Sequence, residues 1–113
     1  MLKKLIILLW IVLVSCQEKM EKPKNLLTKS QMINILVDIH LTEAKVKELH
    51  LKRDSSNQLF RILEKEVLLR QQTTDSVYKK SFLYYLDNME KMEEIYSAVV
   101  DSLSLREKIK DFE

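Results

Sequence analysis

The sequence predicts an all-α protein, with three to four helices packed as a small bundle after a short apolar N-terminal segment. Glycine is absent from the 113 residues, and Pro23 is the single proline. Tight β-hairpins usually need glycine at positive φ, so a chain without glycine is a poor candidate for a sheet. Apolar residues recur at spacings of three and four through most of the chain, which is typical of amphipathic helices.

The first fifteen residues have the composition of a secretion signal. Lys3 and Lys4 form a positive n-region, and residues 5–14 form an unbroken apolar run of ten. A membrane-spanning helix needs about 20 apolar residues, so this run is too short to be one. We therefore expect residues 1–15 to be a signal peptide that is cleaved from the mature protein.

The end of this segment resembles a lipobox, the sequence at which bacterial lipoprotein signal peptidase cuts before a cysteine that is lipidated. The four residues are Leu13, Val14, Ser15 and Cys16. Ordinary signal cleavage prefers a small residue at the −3 position, where Leu13 is too large. Cys16 is also the only cysteine, so it has no disulfide partner within the chain. The pattern favours lipidation of Cys16 over an ordinary signal peptide with a chance cysteine.

Lipidation predicts where the protein is held. Each CH₂ group of an acyl chain adds about 0.8 kcal/mol on burial in a bilayer, so several chains on Cys16 would make a permanent anchor. Gln17 follows the cysteine where an Asp would typically retain a lipoprotein in the inner membrane. We expect a lipid-anchored protein of a Gram-negative cell envelope, at the outer membrane, with the choice of leaflet open.

The charge of the mature chain argues against nucleic-acid binding. Removing residues 1–15 takes away Lys3 and Lys4 but no acid, so Lys plus Arg falls from 19 to 17 and equals the 17 Asp plus Glu. A nucleic-acid-binding domain should instead carry a basic stripe.

Residues 17–25 are polar and carry Pro23, which predicts that residues 16–26 are a lipidated tether, and residues 27–113 form the predicted helical domain. Thr28 and Gln31 fit a capping box at the start of the first mature helix. Two apolar rows follow: Met32, Ile35, Leu36, Ile39 and Val46 in one, and Ile33, Val37, Leu41 and Ala44 in the other. So wide an apolar arc predicts a helix that is central to its own bundle or partly covered by another protein. Ile33, Val37 and Leu41 are therefore candidate partner-binding residues.

The later helix boundaries follow from polar interruptions. Residues 53–57 (RDSSN) are the clearest break, with Asp54 or Ser55 as the cap of a second helix that carries Leu59, Phe60, Ile62, Leu63 and Val67. Thr74 or Asp75 should cap a third helix. Residues 87–90 (DNME) either begin a new helix or kink a continuous one, and the last helix should fray after Leu105.

Aromatic residues cluster in the second half of the chain. Tyr78, Phe82, Tyr85 and Tyr96 fall on helical stripes and are predicted to be core. Tyr84 falls off the stripe and is predicted to be exposed. An exposed tyrosine near methionines suits a binding surface, so Tyr84 is a further candidate partner-binding residue.

The sequence contains little that indicates catalysis. It has no glycine for a phosphate loop or for a nucleophile elbow. His40 and Glu43 share a helix face and could touch one metal ion, but Asp38 points elsewhere and His50 is ten residues away. A structural or solvated role is the better interpretation for these groups. We expect no catalytic residue, metal, cofactor or small-molecule substrate.

Three short segments resemble a family of short bacterial lipoproteins, the domain of unknown function 4296 family. Residues 35–44 (ILVDIHLTEA) are similar to its IL-x-D-hydrophobic-H-L-x-E-A segment, and residues 23–27 to its P-x-x-L lead-in. Residues 81–85 (SFLYY) and the later Ile95-Tyr96 resemble its second signature. Residues 87–89 depart from it, since the family typically has Asn-Pro there. The resemblance implies a localisation and a fold, but no activity.

These observations predict a non-enzymatic, lipid-anchored helical module that binds an envelope protein or serves as an accessory subunit of an envelope complex. The alternative is a chaperone-like lipoprotein that holds unfolded exported clients near the membrane. Met and aromatic surface would suit such promiscuous contact.

Overall fold

The computed structural model describes residues 1–14 and 21–111, which contain five helices and no strand. The helices are α1 (Leu2–Val14), α2 (Lys29–Glu48), α3 (Arg53–Arg70), α4 (Asp75–Leu86) and α5 (Met89–Asp111). The predicted all-α class is confirmed. The count is five instead of three to four, because the predicted signal segment is itself helical and four further helices follow it.

The N-terminal helix α1 covers the apolar run and is 13 residues long. None of the helices described is both long enough and apolar enough to cross a membrane.

Helix α2 is the centre of the bundle and packs against both α3 and α5. Its buried side chains are Met32, Ile35, Leu36, Val37, Ile39 and Val46. All of these except Val46 meet Val67 and Leu68 of α3, Tyr85 of α4, and Met92, Ile95 and Val99 of α5 in one hydrophobic core. The wide apolar arc of α2 is thus explained by neighbours on two sides within the same chain.

The break between α2 and α3 lies earlier than the sequence predicts. The chain turns at residues 49–52, where His50 has a φ of 51°, and α3 begins at Arg53. The N-cap of α3 is Lys52, which makes no side-chain capping hydrogen bond, so the prediction of Asp54 or Ser55 as the cap is wrong. The left-handed conformation of His50 ends α2. Asp54 then lies in the first turn of α3, where its negative charge interacts favourably with the helix dipole.

The end of α3 is a Schellman motif made without glycine. The Thr73 N–H donates to the Leu68 carbonyl at 2.9 Å, and the Gln72 N–H donates to the Leu69 carbonyl at 3.0 Å. Gln72 occupies the left-handed position with a φ of 58°. Glycine is the usual residue there because it has no Cβ to clash, so this turn carries a conformational cost.

The start of α4 is as predicted, since the Val77 N–H donates to the Thr74 hydroxyl at 3.2 Å. Asp87 caps the C-terminus of α4, and α5 begins at Met89, so residues 87–90 start a new helix and do not kink a continuous one. The helix α5 continues to Asp111, past Leu105, after which the sequence predicts fraying. Residues 104–110 are all exposed, so this end of α5 extends past the core.

Candidate functional site

The segment that leads into α2 is fastened to α4 through both backbone groups of Leu27. The Leu27 N–H donates to the Ser81 hydroxyl at 3.0 Å, and the Tyr85 hydroxyl donates to the Leu27 carbonyl at 2.6 Å. Ser81 is 0% exposed and Tyr85 is 4% exposed. Residues four apart share a helix face, so α4 presents two hydroxyls to one residue of the incoming chain. Both backbone groups are thereby satisfied in the core, where an unpaired group would be costly.

The phenol of Tyr85 is held in its neutral, donating form. Burial raises the pKa of Tyr85, a nearby Tyr84 raises it further, and Lys29 opposes the shift. A neutral phenol retains the proton that the Leu27 carbonyl accepts. The link between the lead-in segment and α4 is therefore maintained at physiological pH.

The start of α2 is fixed beside this link. The predicted capping box is confirmed: the Gln31 N–H donates to the Thr28 hydroxyl at 3.1 Å, and the Thr28 N–H donates to the Gln31 side chain at 2.8 Å. Lys29 forms an ion pair with Glu94, and this hydrogen bond raises the pKa of Lys29. The starts of α2 and α5 therefore lie together. We call this region, with Leu27 and Tyr85, the entry end of the bundle.

Asp38 joins the middle of α2 to the end of α3. Its carboxylate accepts a hydrogen bond from the Gln71 amide at 2.7 Å, and its carbonyl accepts one from the Thr42 hydroxyl at 2.7 Å. Gln71 is the C-cap residue of α3. Asp38 thus has a structural role in the packing of two helices, which agrees with the interpretation from sequence.

His40 and Glu43 lie on a partly exposed face of α2. The His40 Nδ1 is 3.8 Å from the Glu43 Oε2, and the Lys47 Nζ is 3.3 Å from the Glu43 Oε1. Ion pairs at such exposure contribute little to stability. Within residues 1–14 and 21–111, no group of three or more His, Cys, Asp or Glu side chains could hold a metal ion.

The predicted partner-binding row on α2 is largely covered by the chain itself. Val37 is 3% exposed and belongs to the core, so it offers no surface to a partner. Ile33 and Leu41 are half-buried against the same core.

Tyr84 is half-buried, and the prediction of an exposed side chain is wrong. Its ring contacts Tyr85 edge-on, with the centroids 5.5 Å apart, and the Lys91 Nζ lies 5.7 Å from its centroid. The turn between α4 and α5 brings Lys91 back over the ring, which the periodicity of α4 alone does not indicate.

The other aromatic residues pack as predicted. Tyr78 and Phe82 lie with ring centroids 6.1 Å apart, and both pack against the core together with Tyr96. Burial raises the pKa of Tyr78 to about 12, and the negative charge of Glu64 adds to this effect.

The proposed lipidation site falls mostly outside the described residues. Ser15 and Cys16 are not described, while Leu13 and Val14 are the last two residues of α1. Lipidation therefore stays a prediction from sequence.

Two groups of exposed apolar side chains were not anticipated as surfaces. Ile62 and Leu69 are exposed on α3, seven residues apart and hence on one face. Leu83, Leu86 and Met89 are 51%, 41% and 62% exposed, and we call them the α4–α5 corner. Ile62 is one of the apolar residues predicted for its helix, but single-helix periodicity does not indicate which of them a neighbouring helix covers.

An open cleft of 350 Å³ lies between the lead-in segment and the turn from α3 to α4. It is lined by Asn25, Leu26, Leu27, Gln31, Gln72, Thr73, Thr74 and Val77. The Thr73 hydroxyl is buried without a hydrogen-bond partner. Gln31 and Thr74 are already engaged as helix caps, so this cleft offers few free polar groups to a ligand.

The roles of Ser81 and Tyr85 were missed from sequence, although both lie in a segment that carried the family resemblance. The available signal was two hydroxyl residues spaced i and i+4 on an otherwise apolar face. The partner is a backbone 54 to 58 residues away, which no local pattern indicates.

A family model described as Domain of unknown function (DUF4296) matches residues 23–109. No curated protein and no solved structure matched the chain. The matched region begins in the lead-in segment and ends in α5, so it covers the whole bundle.

Proposed function

The chain belongs to the DUF4296 family, and we propose that it is a lipid-anchored, non-enzymatic interaction module of a Gram-negative cell envelope, held at the outer membrane. The observation that carries this proposal is the lipobox-like sequence of residues 13–16. Its Cys16 lies eleven residues before Leu27, which is buried and hydrogen-bonded to α4. An anchor so close to a folded body suits a protein that acts by contact at a membrane.

The predicted tether between Cys16 and the bundle, which we also call the leash, is short. Ten residues separate Cys16 from Leu27, and an extended chain of that length reaches roughly 35 Å. The body therefore works within a few nanometres of the bilayer, which limits its partners to membrane proteins, neighbouring envelope proteins and the lipid itself.

The surface supports binding more than catalysis. The clefts are open, and the ionisable pair of His40 and Glu43 lies on a partly exposed face of α2. The raised-pKa phenols of Tyr78 and Tyr85 are part of the packed interior. By contrast, α3 presents Ile62 and Leu69 to solvent on one face, which suits contact with an envelope protein.

Two measurements on cells test the anchor. Wild-type protein should incorporate labelled fatty acid and fractionate with membranes, whereas Cys16→Ala should incorporate none and lose the membrane association. Ser55→Ala, an exposed change in α3, is the matched control and should behave as wild type. Unlabelled wild-type protein would refute the anchor.

Site-specific photocrosslinking tests the interaction. A photoreactive residue at Ile62 or Leu69 should yield one adduct of defined mass, and the same residue at Lys45, exposed on α2, should yield none. Uncrosslinked monomer at all three positions would contradict the proposal of a specific partner.

A chaperone-like role is the second candidate, and the spread of exposed aliphatic side chains favours it. Beyond α1 they occur on or beside every helix: Leu49, Leu51, Ile62, Leu69, Leu83, Leu86, Met89, Val100, Leu105 and Ile109. A holdase would give many adducts of scattered mass at Ile62 and Leu69, where a specific module gives one.

A further inference from the structure

We propose that the α4–α5 corner, formed by Leu83, Leu86 and Met89, contacts the lipid surface beside the anchor. This inference rests on the proposed lipidation of Cys16. It assigns the corner to the bilayer, while the protein partner would use another face of the bundle.

The geometry of α4 supports this assignment. Ser81 and Tyr85 point inward, where they hold Leu27, while Leu83 and Leu86 are exposed on the other side of the same helix. A helix with its side chains is about 10–12 Å across, so the corner lies about one helix diameter from the point where the leash joins the body.

The length of the leash supports it as well. The lipidated residue lies at most roughly 35 Å of extended chain from Leu27, and any slack shortens that distance. A surface beside the attachment point therefore meets the bilayer repeatedly at a high effective concentration. Weak apolar contacts that would not bind a free protein to membranes can hold a tethered one in a fixed orientation.

The chemistry of the corner fits lipid better than protein. Protein interfaces are enriched in aromatic residues, Met and Arg, whereas two of the three corner residues are leucines and Met89 alone belongs to those enriched types. Leucine is one of the apolar residues that helices lying in the membrane interface insert at the boundary between headgroups and acyl chains. Asp87 and Glu90 lie next to Met89, so the attraction is apolar insertion and not binding of anionic headgroups.

The test uses full-length lipidated protein reconstituted into vesicles of phosphatidylethanolamine and phosphatidylcholine. An environment-sensitive fluorophore is attached to Leu86→Cys, and in the control to Ile62→Cys on α3. Acylation consumes the Cys16 thiol, so each variant has one reactive cysteine. Intact mass gives the acylation state before labelling.

The label at position 86 should be quenched by brominated lipid several-fold more strongly than the label at position 62. Added salt should not change this difference, since screening acts on charge attraction and not on apolar insertion.

Equal quenching at the two positions on acylated protein would overturn the inference and leave the anchor intact. A blue-shifted label at position 86 that brominated lipid does not quench would also overturn it, since a protein surface would then cover the corner. Protein without acylation would refute the anchor and this inference together, and intact mass separates that case from the others.

Discussion

The Tyr85 hydroxyl donates a hydrogen bond of 2.6 Å to the carbonyl of Leu27, across 58 residues of sequence. The Leu27 N–H in turn donates to the Ser81 hydroxyl, so both hydrogen bonds hold the lead-in segment against α4. Two of the segments that carried the family resemblance, the lead-in at residues 23–27 and the later SFLYY, are thus the two halves of one contact. The contact holds the lead-in segment against α4 immediately before α2 begins.

Tyr85→Phe should destabilise the protein by about 1–3 kcal/mol, because it leaves the buried Leu27 carbonyl without its donor. Urea unfolding followed by circular dichroism measures the change. Tyr96→Phe is the matched control, since its half-buried ring packs on the core, and it should lie within about 0.5 kcal/mol of wild type. Equal losses in both variants would mean that the Leu27 link contributes nothing specific.

Ser81→Ala combined with Tyr85→Phe should cost less than the sum of the two single variants. Both hydroxyls bind the same residue, so once one bond is lost the segment can move and expose its other group to water. A double-mutant cycle gives the coupling. Strict additivity would show that the two bonds act independently.

Gln71→Ala should lower the free energy of unfolding by about 1 kcal/mol, because the partly buried Asp38 carboxylate loses a donor at 2.7 Å. Gln58→Ala, an exposed amide on the same helix, is the control and should be near neutral. If both changes have the same effect, the link between α2 and α3 is dispensable.

Gln72→Gly should stabilise the protein by about 1 kcal/mol, since glycine adopts the left-handed position of the Schellman motif without the Cβ clash. His50→Gly, at the other positive-φ position, should act in the same direction. Lys65→Gly, on the exposed face of α3, should instead cost about 1 kcal/mol. The midpoint of urea unfolding separates these outcomes, and a loss at Gln72 would contradict the conformational argument.

Stability should fall as the pH rises from 10 towards 12. The folded protein keeps the Tyr78 proton up to about 12, whereas the unfolded chain releases it near 10.0, so the folded state binds more protons in this window. Tyr78→Phe should make this decline shallower, because it removes the group that loses its proton in this window. Denaturant midpoints measured across this range test the prediction, and identical slopes in wild type and Tyr78→Phe would refute it.

The sequence predicted correctly those structural features whose interacting residues lie within one helical turn of each other. The capping box of Thr28 and Gln31 and the Thr74 cap each involve side chains within one turn of their partners, so spacing alone predicts them. The end of α2 was misplaced because a histidine adopts the conformation that usually marks a glycine. A glycine-free chain gives no residue-type signal for its left-handed positions.

Helix faces were predicted less well than helices. Tyr84 was assigned the wrong degree of exposure, because an apolar stripe shows which residues could be buried and not how far a neighbouring helix extends over the others. The turn after α4 places Lys91 of α5 over the Tyr84 ring, and this contact between two helices determines the environment of Tyr84.

The sequence by itself determined the helical class, the caps of α2 and α4 and the family, because composition, periodicity and capping act over a few residues. Lipidation of Cys16 stays a prediction from sequence, since Ser15 and Cys16 lie outside the described residues. Only the tertiary structure showed that Leu27 is bound by Ser81 and Tyr85, that Val37 is covered, and that the α4–α5 corner is exposed. Each of these depends on contacts between residues far apart in the chain, and such contacts form only when the bundle assembles.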